Sequence, residues 1–147
     1  ELEQKLEINP QWNKKNFKNA MLASKDFCYT IKIDVSRLAE LRDYLLSKRT
    51  FMLRLLENQN LLEHERFTDL LWAVFHLTEE LAFRKEKLVD LPESDYQHLA
   101  SDLKRAYSQL TGEWIFYVSH LKESYPFLYS LATRINPMNP HASAIVQ

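Results

Sequence analysis

The chain has 147 residues, of which 19 are basic and 20 acidic, so its formal net charge is −1. This length fits one domain, residues 1–147, with a sizeable core, and the balanced charge predicts no nucleic-acid partner. Gly112 is the single glycine, whereas β architectures generally need glycines at turns and bulges. The composition therefore predicts an all-α fold.

Residues 1–34 are predicted to form a basic N-terminal strap. Asn9-Pro10 marks the start of a short helix, because proline at the first helical position loses no hydrogen bond. The apolar stripe of this helix would consist of Trp12, Phe17 and Met21. Residues 27–33 are rich in β-branched and aromatic side chains, which predicts an extended segment lying along the rest of the fold.

Apolar residues at three- and four-residue spacing predict two long helices after the strap. The first runs from Ser36 to about Asn58, with Asp34 or Ser36 as its cap. The second begins at Asn60, which resembles a capping box with Glu63. Its apolar stripe comprises Phe67, Leu70, Val74, Leu77 and Leu81. A stripe of this width is typical of a helix that faces the core of a bundle.

A third helix is predicted over residues 94–124, with Ser94 and Gln97 as its capping box. At about 1.5 Å per residue it would be roughly 45 Å long. Long helices joined by short connections lie antiparallel so that they can bury their apolar stripes. We therefore predict an elongated bundle of three long antiparallel helices over residues 35–135.

Pro126 interrupts the helical pattern near the C-terminus. Proline cannot donate a backbone hydrogen bond to residue 122, so the helix must kink or restart near Tyr125. A short helix then continues to about residue 135, and Asn136-Pro137 ends it. Residues 136–147 are predicted to form an extended tail after this kinked C-terminal helix.

Two helices carry a His-x-x-Glu pattern, His76 with Glu79 and His120 with Glu123. Residues three apart share a helix face, so each pair could offer an imidazole and a carboxylate to a metal. Metal sites in helical bundles, however, generally use Glu-x-x-His and additional glutamates. The sequence leaves open whether either pair binds a metal.

His98 raises the same question, because Asp95 and Asp102 flank it at helical spacing. Exposed pairs of this kind are common and contribute little energy. The chain also lacks the motifs of a nucleophile elbow, a phosphate-binding loop or a paired-cysteine site. We therefore predict no catalytic, cofactor-binding or metal-binding residue, and no cofactor.

The segment 9–32 is locally basic, because five lysines face one acidic residue, Asp26. Lysines interleaved with apolar residues are typical of a segment that lies on an anionic membrane surface. An ordinary solvated lysine face is the alternative interpretation. Dense aromatic groups near Trp114 and Tyr125 indicate burial in the core or in a partner. The predicted interaction residues are Trp12, Lys14, Lys15, Lys18, Trp114, Tyr125, Phe127 and Tyr129.

Several strings together resemble the cytosolic helical region of microbial channel proteins with two transmembrane helices, which are similar to potassium channels. The strings are Leu62-Glu63-His64-Glu65-Arg66-Phe67, His76-Leu77-Thr78-Glu79-Glu80-Leu81, Leu91-Pro92-Glu93-Ser94-Asp95-Tyr96 with His98-Leu99, and Tyr125-Pro126-Phe127-Leu128-Tyr129-Ser130-Leu131-Ala132 through Asn136-Pro137. The resemblance covers residues 60–142.

This resemblance implies a non-catalytic assembly or regulatory domain at the cytoplasmic face of a membrane. Its partner would be a second copy of the chain or a pore module in the same polypeptide. No pore or selectivity-filter residue of that family occurs here. The alternative function is a free-standing adaptor that binds a protein through its aromatic C-terminal region, and a metal-dependent helical enzyme is the least favoured of the three.

Overall fold

A computed structural model of the chain describes residues 5–27, 30–84 and 88–146. The helices in this part of the chain are α1 Lys14–Asp26, α2 Val35–Leu56, α3 Gln59–Leu62, α4 Glu65–Phe83, α5 Glu93–Ser124 and α6 Pro126–Arg134. No strand occurs among the described residues. The all-α class is therefore confirmed, whereas the antiparallel three-helix bundle remains a prediction.

The chain divides into two compact units. The terminal unit comprises Glu1–Cys28 with Thr111–Gln147, and the central unit comprises Tyr29–Leu110. The boundary falls within α5, so this helix contributes residues to both units.

The core of the central unit takes apolar side chains from α2, α4 and α5 and from the connection that precedes α5. Its buried members are Leu38, Leu45, Ala73, Leu77, Leu81, Leu88, Leu99 and Ala106. Ile33 and Val35 pack against this cluster. The end of the predicted N-terminal strap, at Ile33, therefore lies on the core. Residues 1–4, 28 and 29 of the strap fall outside the described part of the chain.

Asparagine or aspartate side chains cap the starts of three helices, α1, α2 and α3, but the capping residue is not always the predicted one. Asp34 caps α2, since its carboxylate accepts hydrogen bonds from the backbone N–H groups of Ser36 and Arg37. The hydroxyl of Ser36 also donates to this carboxylate and, as the largest cause, lowers the pKa of Asp34. Of the two predicted caps, Asp34 therefore acts as the cap of α2.

Two predicted capping boxes are wrong. Asn58 and not Asn60 caps the short helix α3, because the Asn58 side chain accepts from the backbone N–H of Asn60. The next long helix begins at Glu65. Helix α5 begins at Glu93, so Ser94 lies inside the helix. At α3 the shift arises because neighbouring asparagines compete for the same few unpaired N–H groups, whereas at α5 the N–H groups of Asp95 and Tyr96 donate to the backbone carbonyl of Pro92.

The start of α1 also differs from the prediction. Pro10 lies in a turn, and the helix begins at Lys14. The Asn13 side chain accepts from the backbone N–H groups of Lys15 and Asn16, while the Asn16 side chain accepts from the Asn13 N–H. A capping box with asparagine at both positions therefore outweighs the proline signal.

The break at Pro126 is confirmed. Helix α5 ends at Ser124, and α6 begins at Pro126 itself, where the missing N–H removes no helical bond. The tail is not extended throughout, contrary to the prediction. Its Ser143 N–H donates to the carbonyl of Arg134 at 2.9 Å, so the chain turns back toward α6.

Side chains of the C-terminal region hold the N-terminal segment within the terminal unit. The donors are Asn136, Tyr129 and Lys122, and their acceptors are the backbone carbonyls of Leu6, Asn9 and Pro10 at 3.0, 2.6 and 2.7 Å. Burial raises the pKa of Tyr129. The strap is thus anchored by hydrogen bonds to backbone groups that a helix or sheet would otherwise satisfy.

Candidate metal centre

Four side chains of the central unit, two histidines and two carboxylates, form a cluster between α4 and α5. His76 and Glu80 lie one turn apart on α4, and His98 and Asp102 lie one turn apart on α5. Residues four apart project from the same helix face. Each helix therefore supplies one imidazole and one carboxylate to the cluster.

The nitrogen and oxygen atoms of the cluster converge closely. Oδ2 of Asp102 lies 3.4 Å from Nε2 of His76 and 3.4 Å from Nε2 of His98. The Glu80 carboxylate lies 3.5 Å from Nε2 of His98 and 3.8 Å from Nε2 of His76. Ligand atoms of His76, Glu80 and His98 all fall within 4.8 Å of one another.

The nitrogen–oxygen separations lie close to those between neighbouring ligands of a metal ion, and the group whose ligand atoms all lie within 4.8 Å of one another consists of His76, Glu80 and His98. In a tetrahedral zinc site with bonds of about 2.0–2.2 Å, neighbouring ligand atoms lie about 3.3–3.6 Å apart. The two distances from Asp102 Oδ2 and the distance from Glu80 Oε2 to His98 lie in this range, whereas the distance from the other Glu80 oxygen, Oε1, to His76 exceeds it by 0.2 Å. Direct N–H···O hydrogen bonds are shorter, about 2.7–3.2 Å. The spacing therefore suits a bridging cation better than direct hydrogen bonding.

Asp102 is the most informative member of the cluster. The residue is 2% exposed, and its Oδ2 atom has no hydrogen-bond partner. The other oxygen, Oδ1, lies 3.5 Å from Nη1 of Arg105. A buried carboxylate oxygen without a donor is costly, and native proteins generally supply a donor or a cation. Here the unpartnered oxygen is directed at the two imidazoles.

Arg84 holds the second carboxylate in place. Its Nη1 atom donates to Oε2 of Glu80 at 2.6 Å, and its Nε and Nη2 atoms both donate to Asp95 at 2.7 Å. These hydrogen bonds are the largest cause of the lowered pKa values of Glu80 and Asp95. Hydrogen bonding of this kind fixes the orientation of metal-ligating carboxylates in known sites. Glu80 is therefore an oriented anion.

The pairs that the sequence suggested do not form. The Glu79 carboxylate accepts from Arg49 at 2.6 and 3.3 Å, which is the largest cause of its lowered pKa, and it is not a partner of His76. Glu123 instead forms an ion pair with Lys14 at 3.0 Å. The pairing of His76 with Glu79 is therefore wrong by one residue, and Glu80 takes that place.

A signal for the cluster was present in the sequence. His76 with Glu80 and His98 with Asp102 show the same four-residue spacing on two different helices. The sequence indicated Asp102 only as an acidic residue at helical spacing from His98. Which faces of α4 and α5 meet is a property of tertiary packing, so the sequence could not place the two pairs together.

The predicted basic residues of the N-terminal segment remain on the surface. Lys14, Lys15 and Lys18 are exposed, and the Lys14 ammonium pairs with Glu123. The apolar side of α1 packs within its own unit, since Phe17 is buried and contacts the rings of Trp12 and Tyr129 edge-on. This side of α1 is therefore packed against other residues of the terminal unit.

The predicted aromatic residues divide into buried and exposed groups. Tyr129 is 5% exposed, whereas Tyr125 and Phe127 are 46% and 72% exposed and contact each other edge-on. Trp114 is half-buried, and its Nε1 has no hydrogen-bond partner. The surface at the start of α6 is thus aromatic, while Tyr129, Ala132 and Thr133 of the same helix are buried.

A model of one protein family matches residues 1–134 of the chain. The chain belongs to the family described as "Uncharacterized protein MJ1433, C-terminal helical domain". A relative, the protein printed as "Uncharacterized protein MJ1433" from Methanocaldococcus jannaschii, is 44% identical over 134 residues, which is 91% of the chain. The match spans 54% of that relative, so the chain corresponds to about half of it.

Membership of the MJ1433 C-terminal family agrees with the helical domain that the sequence predicted. None of these matches links the chain to potassium-channel-like proteins. No solved structure matches it. Among the described residues, no helix has both the length and the apolar character needed to cross a bilayer.

Proposed function

We propose that this helical domain binds one divalent transition-metal ion through His76, His98, Asp102 and Glu80. The observation that carries the proposal is the buried Oδ2 atom of Asp102, which has no hydrogen-bond partner and lies 3.4 Å from both imidazole Nε2 atoms. A cation at this position would satisfy the oxygen and both nitrogens together. The domain would then carry a metal centre.

The donor set favours Zn²⁺ or Co²⁺. Imidazole nitrogen with carboxylate oxygen suits these ions, whereas Mg²⁺ and Ca²⁺ favour sites built from oxygen alone. The two carboxylates would together neutralise the charge of the divalent ion. Both histidine side chains are nearly half exposed. Water or another small ligand can therefore reach the ion, which can expand from four to five ligands.

The competing explanation is a group of ordinary ion pairs between protonated histidines and carboxylates. Such a cluster requires no ion, and zinc would then bind no better than it binds to scattered surface histidines. The two explanations are distinguished by zinc affinity and by its dependence on residues from both helices.

The test is zinc binding to the chelator-stripped protein, measured by calorimetry and by thermal unfolding. At a free zinc concentration about 100-fold above Kd, binding stabilises the folded state by about 2.7 kcal/mol. For a chain of this size that raises Tm by about 5–10 °C. We expect His98→Ala to abolish the increase and the control His120→Ala, on the same helix but outside the cluster, to retain it. Equal losses in both variants, or no increase in the wild type, would refute the site.

We propose a second function, that the domain assembles or regulates a larger protein. It is favoured by the exposed rings of Tyr125 and Phe127 and by the match to only about half of the relative. A channel-like membrane protein, with the chain at the cytoplasmic face and residues 9–32 near anionic lipid, is the form that the sequence resemblance implies. A free-standing adaptor is the alternative form, and self-association is compatible with both forms.

Two measurements test this second proposal. Concentration-dependent sedimentation of the wild type, abolished by Phe127→Ser, would support assembly through the aromatic surface, whereas a strict monomer at high concentration would contradict it. The channel form requires that the coding sequence upstream of Glu1 specify transmembrane helices. An upstream region without them would eliminate that form and leave the adaptor.

A further inference from the structure

A surface groove of about 360 Å³ lies beside the metal cluster within the central unit. Its walls are formed by Asp69, Trp72, Ala73, His76, Arg105 and Gln109. His76 lines both this groove and the cluster. The volume is in the range of small-molecule sites, about 300–1,000 Å³. A molecule in the groove would therefore lie next to the metal.

Arg105 gives the groove a cationic group. Its side chain is 58% exposed, and among the described residues it pairs with Asp102, whose Oδ1 lies 3.5 Å away. A guanidinium carries five N–H donors in a planar fork that matches a carboxylate. At 3.5 Å the Asp102 contact is too long to be a good hydrogen bond. Most donors of Arg105 therefore remain available to a ligand.

Trp72 gives the groove a flat apolar surface. The indole is 56% exposed and meets the ring of Phe75 edge-on at 6.2 Å between ring centres. The edge-on contact supports the indole while leaving much of its surface exposed. Gln109 adds a polar atom, since its Oε1 is buried without a hydrogen-bond partner. An N–H or O–H group on a ligand would satisfy it.

We infer that the groove binds a small aromatic carboxylate, with the carboxylate toward Arg105 and the bound metal ion and the ring against Trp72. This inference rests on the metal site proposed above. Without the ion, the three carboxylates of Asp69, Asp102 and Glu80 outnumber the two guanidinium groups of Arg105 and Arg84, so they repel an anion. Carboxylate binding should therefore require the metal, and by linkage the carboxylate should strengthen metal binding by the same factor.

The experiment uses the Co²⁺-loaded chain and follows the visible absorption of cobalt, which changes when its ligands change. Benzoate and acetate are the probes, because they share the carboxylate and differ in the ring. We expect both to alter the spectrum and benzoate to bind roughly fivefold more tightly, as an aromatic contact predicts. The apoprotein should bind neither probe, as measured by calorimetry.

Two pairs of variants assign the contacts. Arg105→Gln should lower the affinity for both probes by about tenfold or more. The matched control Lys104→Gln removes the same charge one residue away and should leave both affinities unchanged. In Trp72→Ala, benzoate should bind no more tightly than acetate. Phe83→Ala removes an exposed ring from the same helix and should keep the higher affinity for benzoate. Cobalt affinity without a probe should stay within about twofold of wild type in both Trp72→Ala and Phe83→Ala.

The possible failures are distinguishable. If the wild type does not bind Co²⁺, both the metal site and the groove ligand are refuted. If Co²⁺ binds but benzoate leaves its spectrum unchanged, the groove inference alone is overturned. If both probes bind equally and Trp72→Ala has no effect, the ligand is a simple anion and the aromatic part of the inference is wrong.

Discussion

Replacing Asp102 by asparagine distinguishes two possible roles of this residue, that of a metal ligand and that of a structural ion-pair partner. The change keeps the shape of the side chain and removes its negative charge. The native carboxylate is 2% exposed, and one of its oxygens lacks a donor. If Asp102 stabilises the fold as an ion-pair partner, the change should lower the free energy of unfolding of the metal-free protein. If Asp102 serves only to bind a metal, the change should not lower it.

The magnitude for the metal-free protein follows from two opposing contributions. An unsatisfied buried polar group costs about 1–3 kcal/mol, and the neutral amide relieves much of that cost because burying a neutral group is less costly than burying a charge. The loss is the long contact with the exposed Arg105, worth at most about 1 kcal/mol. We expect metal-free Asp102→Asn to be more stable than wild type by about 1 kcal/mol, which raises Tm by about 2–4 °C.

The zinc-bound protein should respond in the opposite direction. Removing even a residue that only orients a ligand commonly lowers metal affinity by about 10–100-fold, and a direct anionic ligand should contribute at least the upper value. A 100-fold loss would remove about 2.7 kcal/mol of zinc-dependent stabilisation at a fixed excess of zinc. The variant should therefore gain stability without zinc and lose nearly all of the zinc-induced rise in Tm.

The assay is urea and thermal unfolding at about pH 8, where an ordinary imidazole is neutral, with chelator or with excess zinc. Asp43→Asn, an exposed acid of the same unit, controls for the change in net charge. If metal-free Asp102→Asn is less stable than wild type by more than about 1 kcal/mol, the carboxylate is a structural ion-pair partner. An unchanged zinc response would show that Asp102 is not a ligand.

Three further predictions concern stability. Leu99→Ala should destabilise the central unit by about 2–5 kcal/mol in urea unfolding, because the native side chain is fully buried, and a loss under 1 kcal/mol would contradict that packing. Arg84 lowers the pKa of Asp95, so this pair stabilises the fold above the ordinary carboxyl pKa of about 4 and the stabilisation is lost as pH falls through the lowered value. Arg84→Met should therefore flatten the acid limb of a stability–pH curve, and an unchanged limb would show that other carboxylates dominate it. Tyr129→Phe removes the hydrogen bond to the Asn9 carbonyl and should cost about 1 kcal/mol, with faster amide exchange in residues 5–12, whereas unchanged exchange would show that this bond does not hold the segment.

The long helices were largely predictable because helix formation depends on local spacing. The predicted helix over residues 94–124 differs from α5 by one residue at its start, and the restart at Pro126 agrees with α6. The caps were less predictable. Asn13 and Asn58 each lie near another plausible capping signal, and small energy differences decide among them.

The metal cluster was less predictable than the helices. Glu79 and Glu80 are adjacent in sequence, and both lie close enough along α4 to interact with His76. The structure directs Glu79 to Arg49 and places Glu80 with His76 and Arg84. This choice depends on how α4 is rotated against its neighbours, which hydrophobic periodicity fixes only to within a broad apolar stripe.

The sequence by itself determined the all-α class, the long helices and the break at Pro126, because each follows from backbone hydrogen bonding and side-chain period over a few residues. Tertiary structure alone decided that His76 and Glu80 face His98 and Asp102, and that Asp102 is buried with an unpartnered oxygen. The physical reason is that side chains from two helices meet only once the core has fixed the rotation and offset of both helices. The proposed chemistry of this protein depends on that packing.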